Sequence, residues 1–164
     1  MKIRPQWAVG LAVLAFGITF GTQPLRAGEA KASTDPQMHS AAKVHHVAIQ
    51  VDSKDPAVMN LALNNAANVA RDYTSRGQEV EIEIVAYGPG LHMLRGDTSP
   101  VKARLKSMSE SMPYLTFDAC ANTRRAMKKA EGKDIPLVSQ AKVVPSGVVH
   151  LVDLQEKGWS YIRP

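Results

Sequence analysis

From residue 43 onward, short β-branched runs alternate with stretches of helical apolar spacing, and this alternation limits the fold more than any other feature of the chain. "KVHHVAIQV" (43–51) places Val47, Ile49 and Val51 on one side of a strand. Asp55 and Pro56 follow as an aspartate cap and a first-turn proline. The helix they open has its apolar positions at Val58, Leu61, Ala62, Ala66, Val69, Ala70 and Tyr73, and Arg76-Gly77 closes it. "VEIEIVAY" (80–87) is a second strand, with Val80, Ile82 and Ile84 set against glutamates and Gly88-Pro89-Gly90 as its stop. Residues 91–112 hold one or two short helices; Ser99-Pro100 opens the clearer one, with Val101, Leu105 and Met108 along a face. A strand over 113–120, a helix over 121–132, a short strand within 141–147, a helix over 148–158 and an edge strand in "WSYIRP" complete the order. Such alternation predicts an α/β domain, with a mostly parallel sheet of about five strands and helices on both faces. Loops at the carboxyl ends of parallel strands share one edge, where ligands bind. Here they are 52–55, 88–92, 119–122 and 145–147, which contain Asp52, Gly88, Gly90, Ser146 and Gly147.

The first thirty residues lie outside that pattern. Lys2 and Arg4 precede an apolar run from Trp7 to Phe20, and small or polar residues follow, "GTQPLRAGEA". A positive start, an apolar middle and a small-residue end describe a secretory signal peptide over 1–27, with cleavage as late as residue 30. The rival is an uncleaved anchor, but the run falls short of the roughly 20 residues a bilayer requires. Export to the periplasm or beyond is therefore expected, with no membrane association once the signal is removed. Residues 31–42 carry no apolar period and form a flexible lead-in to one domain over 43–164. The net charge of +5 includes Lys2, Arg4 and Arg26, which leave with the signal. A mildly basic exported domain gives no reason to expect nucleic acid as a partner.

Cys120 is the only cysteine, so no intramolecular disulfide can form and packing alone must stabilise the domain. It sits in "DACANT" (118–123), where the third strand hands over to a helix. Unpaired amides and the positive dipole end at a helix start favour a thiolate over a thiol. Asn122 or Thr123 is the expected cap beside the sulfur, with Arg124 adding charge one turn on. The competing interpretation is an inert, buried thiol acting as a small hydrophobe, with the Arg/Lys run a solvated helix face.

"VDSKDPAVMNLALNNAANV", "EIVAYGPGLHML", "ACANT" and "VVPSGVVHLVDLQEKGWSYIRP" together resemble the DsrE/DsrF-like proteins over almost all of 43–164. The resemblance implies a Rossmann-like domain that assembles into homo-oligomers. In its sulfur-relay members, persulfide sulfur passes between cysteines, and that carrier role maps onto Cys120 alone. Ala121 departs from the family's common "ACGNT" pattern, and export separates the chain from cytoplasmic relay partners. The donor or acceptor of sulfur is therefore unknown from sequence.

Other residues carry weaker signals. His92, after the Gly88-Pro89-Gly90 turn, is placed to support the sulfur or simply to face solvent. His45 and His46 are adjacent on a strand and point to opposite faces, so they cannot share a metal. A soft copper site from Cys120, a histidine and Met93, Met108, Met112 or Met127 has no ligand spacing behind it, so no metal and no cofactor are expected. Ser146 lacks a Gly-x-Ser-x-Gly elbow, which argues against serine hydrolase chemistry. Two functions remain: a single-cysteine persulfide or thiol carrier, or a non-catalytic homo-oligomeric binding module with an inert cysteine. An apolar edge strand with Trp159 and Tyr161 also favours self-association.

Overall fold

The computed structural model describes residues 43–164. The signal-peptide and lead-in assignments, 1–27 and 31–42, lie outside these residues. Among the described residues no helix is long and apolar enough to cross a membrane.

Five strands form one parallel sheet in the order β4-β3-β2-β1-β5: β1 (Val44–Val51), β2 (Glu79–Ala86), β3 (Leu115–Cys120), β4 (Ala141–Val144) and β5 (Ser160–Ile162). Between β1 and β4 each crossover steps the same way across the sheet. Right-handed connections therefore lay α1 (Pro56–Ser75), a 3-10 segment (Gly88–Leu94) with α2 (Lys102–Ser111), and α3 (Ala121–Glu131) on one face. The return from β4 to β5 runs the other way and places α4 (Gly147–Glu156) on the opposite face.

The two faces are unequally covered. The first buries the main core, in which Ile49, Met59, Leu63, Ile84, Leu91 and Phe117 are almost wholly sealed. Full burial of each such side chain contributes roughly 1.5–3 kcal/mol. The second face has a small apolar patch of Ala48, Val85, Leu151 and Leu154, flanked by Tyr87 and Trp159. One ten-residue helix cannot cover that side, and polar residues fill the remainder. Period-two alternation puts Glu81, Glu83, Thr116, Asp118 and Lys142 there.

Most predicted elements form, with local corrections. The buried face of α1 is Met59, Ala62, Leu63, Ala66 and Ala70, while Leu61 is 45% exposed. Apolar residues are dense on both flanks of this stripe, so a count of hydrophobic positions drifts by one. Helix α2 begins at Lys102, beyond the Ser99-Pro100 pair: the Ser99 hydroxyl donates to the Met93 carbonyl and accepts from the Val101 amide at 3.3 Å, ahead of the helix rather than from its first turn. The third strand starts at Leu115, two residues later than the run "PYLTFDAC" indicates.

One glycine seats the loop at the carboxyl edge, and one buried arginine ties the chain after the 3-10 segment to the far end of α3. A Cβ on Gly90 would lie 2.1 Å from the Val51 carbonyl oxygen, so only glycine lets the 3-10 segment seat on the end of β1. Arg95, 5% exposed, donates to Asp97 at 2.7 and 2.9 Å and forms a bidentate pair with Glu131 at the end of α3. Hydrogen bonds from Arg95 hold both carboxyls below the usual carboxylate range.

Candidate functional site

Cys120 ends β3 and is itself the N-cap of α3, with φ −65° and ψ 114°. Its Sγ accepts a hydrogen bond from the Thr123 amide at 3.4 Å. The expectation that Asn122 or Thr123 would cap the helix is thus corrected. Both lie inside its first turn and turn their amides toward the sulfur. A second helix contributes as well. Gly147 opens α4, and a Cβ there would sit 3.3 Å from Cys120 Cβ and 3.0 Å from Tyr87 Cβ. The absence of a side chain lets the Gly147 amide reach the sulfur. Two helix N-termini therefore converge on one thiol, and each favours negative charge.

Competing influences set the thiol's acidity. Burial pushes it up, since Cys120 is only 4% exposed. A hydrogen bond from the Thr123 hydroxyl, then the amides of Gly147, Thr123 and Asn122, outweigh burial and bring the thiol below its ordinary value. Thr123 Oγ1 also accepts from the Gly88 amide at 2.9 Å, and the Asn122 amide donates to the Pro145 carbonyl at 3.3 Å. Gly88, at φ +52°, makes the turn that aims its own amide. Three strand-end loops are thereby laced together around the sulfur.

The remaining sequence candidates are engaged elsewhere. Arg124 Nε donates to the Ile135 carbonyl at 2.8 Å and anchors the loop after α3. His92 Nδ1 lies 3.5 Å from Thr98 Oγ1. Asp52 accepts from Gln50 at 2.7 Å and Arg163 at 3.3 Å, and Ser146 caps α4 through the Val149 amide at 3.5 Å. His45 stacks on Tyr73 and His46 tilts against Trp159, on opposite faces as their adjacency requires. Met93 and Met108 are core residues.

The sequence reading missed a second polar cluster on the same sheet face as Cys120. Glu83 on β2, Asp118 on β3 and His150 on α4 place one ligand-type atom each within 4.8 Å of one another. His150 Nε2 is 2.7 Å from Glu83 Oε2 and 4.0 Å from Asp118 Oδ2. Burial pushes Asp118 up to about 7, helped by the neighbouring Glu83 charge and a hydrogen bond shared with it. The available signal was an aspartate inside the apolar strand "LTFDAC", two residues before the cysteine and therefore on its face.

With this geometry established, comparison with known proteins gives a consistent assignment. No functionally curated protein matches the chain. A solved structure, MTH1491 from Methanobacterium thermoautotrophicum, described as a protein of unknown function, is 35% identical. The match covers 73% of this chain and 99% of that one, with a TM-score of 0.63. The family model for the DsrE/DsrF-like family matches residues 27–164. The chain belongs to the DsrE/DsrF-like family.

Proposed function

We propose that the protein handles sulfur outside the cytoplasm, with Cys120 as a single-cysteine persulfide carrier. The observation that carries this reading is the convergence of the α3 and α4 N-termini on one sulfur. Family membership supports it. In the proposed step, the Cys120 thiolate attacks the outer, sulfane sulfur of a small persulfide or polysulfide. A new S–S bond forms at Cys120, the donor's S–S bond breaks, and the donor leaves as a thiolate carrying the electron pair. The same amides that hold the thiolate then hold the terminal persulfide anion. Transfer onward repeats the exchange with an acceptor thiolate.

Intact-mass spectrometry after exposure to polysulfide tests this. The expected result is one added sulfur atom that maps to Cys120 and is released by a small thiol. A Cys120 that reacts with a small thiol reagent yet never gains sulfur would refute the carrier role.

The 4% exposure of Cys120 favours a second reading, a binding module with an inert thiol. Under that reading a Cys120→Ser variant would keep the stability, assembly and cellular phenotype of the native protein. Both readings include self-association through α4 and the β5 edge, where Val148, Val149, Val152 and Tyr161 are exposed. Light scattering at micromolar concentration is expected to give a multiple of the mature chain mass, and a clean monomer would refute it.

A further inference from the structure

We propose that Glu83, Asp118 and His150 form a binding site for one divalent transition cation of the zinc class, on the sheet face beneath α4. The donor set comes from three separate elements, two strands of a rigid sheet and the helix lying on them. One imidazole nitrogen and two carboxylate oxygens suit zinc, manganese or ferrous iron, and lack the soft sulfur that selects cuprous copper. Zinc bonds to nitrogen and oxygen span about 2.0–2.2 Å, so neighbouring ligand atoms around the ion lie roughly 3–3.5 Å apart. The two His150 separations, 2.7 and 4.0 Å, bracket that spacing, and all three ligand atoms lie within 4.8 Å of one another. Small side-chain rotations would bring the three atoms to that spacing.

Asp118 lacks a full cationic partner of its own. It is 4% exposed, and beyond the hydrogen bond it shares with Glu83 its donors are the Thr116 hydroxyl at 3.4 Å and His150 at 4.0 Å. A buried carboxylate normally takes a strong cationic or multiple hydrogen-bond partner. This protein shows that solution at Arg95, where two carboxylates share one buried guanidinium. At Glu83 and Asp118 two carboxyl groups share one hydrogen bond and face a single imidazole, with no guanidinium between them. Among the described residues, Lys142, opposite Asp118 in the β3–β4 register, is the lysine or arginine whose charge acts on Asp118, and His46 is taken by Glu81 at 3.3 Å. A groove of about 230 Å³ lined by Glu81, Glu83, Thr116, Lys142 and Trp159 gives an ion and its waters a route to Glu83. Three protein ligands, with Glu83 on the groove, would leave coordination positions for water or a small anion.

The proposal is independent of the sulfur-carrier reading, and the test keeps the two apart. Mature protein stripped with chelator is titrated with Zn²⁺ by calorimetry and with Co²⁺ by visible absorption. Native protein and Cys120→Ser are both expected to bind one ion per chain. The Co²⁺ spectrum should show d–d bands without thiolate charge transfer. Glu83→Gln and His150→Ala should each weaken binding at least tenfold, roughly the least lost when even an outer-shell partner of a metal ligand is removed. Far-ultraviolet circular dichroism checks that both variants fold, and Glu83→Gln keeps the side-chain shape if His150→Ala does not. Absent binding at micromolar Zn²⁺, unchanged affinity in a folded Glu83→Gln variant, or binding lost in Cys120→Ser would each overturn the assignment.

Discussion

The N-termini of α1 and α3 are built alike and used differently. Asp55 caps α1 at φ −68° and ψ 122°, and Cys120 caps α3 at φ −65° and ψ 114°. In each case the side chain accepts a first-turn amide, at 2.8 Å for Asp55 and 3.4 Å for Cys120. Asp55 is exposed, belongs to the residue types preferred at helix starts, and serves one helix. Cys120 is buried, is not among those types, and receives amides from two helices together with a hydroxyl. A surface cap stabilises its helix locally. The same geometry sealed between two helices holds an anion, and here the atom in that position is also a nucleophile.

Four substitutions sharpen this contrast, in order of expected effect. Cys120→Ser should abolish sulfur loading, measured by intact mass, while thermal melting stays near native because serine is a good cap. If sulfur still loads on that variant, the contrast between the two caps loses its functional meaning. Gly147→Val pushes a side chain into Tyr87 and Cys120, and should cost about 1–3 kcal/mol in urea unfolding through overpacking. It should also slow thiol alkylation, since the α4 amide moves off the sulfur. Thr123→Val removes the hydroxyl while leaving the backbone amide in place. A hydrogen bond to a charged group contributes about 1.5–3 kcal/mol, so alkylation near neutral pH should fall roughly tenfold or more. Asp55→Ala should cost about 1 kcal/mol and leave alkylation untouched. A changed alkylation rate there would erase the distinction between the two helix starts.

Much of this architecture was legible in the chain. The strand–helix alternation, the Asp55-Pro56 start and the Gly132 stop each rest on local chemistry, and Gly132 takes the left-handed conformation at φ +67°. What was hidden depends on tertiary contact. Asn122 and Thr123 are common capping types, so they drew the assignment away from Cys120, whose sulfur occupies the cap only because Gly147 and Thr123 surround it. The Gly147 amide arrives from another helix, and no spacing within "DACANT" announces it. Glu83, Asp118 and His150 come from three elements and meet only because α4 crosses to the thinly covered face. Arg124, chosen for closeness in sequence, and His92, chosen because the Gly88-Pro89-Gly90 turn ends at the same sheet edge, are drawn off by the Ile135 carbonyl and by Thr98.

The thiol also links pH to stability with a definite sign. The native thiol loses its proton at lower pH than the unfolded one, so the native state gains stability as pH rises through the folded value. That gain is complete above the unfolded value and is lost as pH falls through the folded one. The stability gap between native protein and Cys120→Ala should therefore widen toward alkaline pH.

The most direct test is the ultraviolet thiolate titration of Cys120 in the folded mature protein, with Cys120→Ser as the blank. A midpoint clearly below that of free cysteine in the same buffer is the predicted result. A midpoint at or above the free value, or no ionisation before the protein unfolds, would contradict the claim that two helix starts hold this sulfur as an anion.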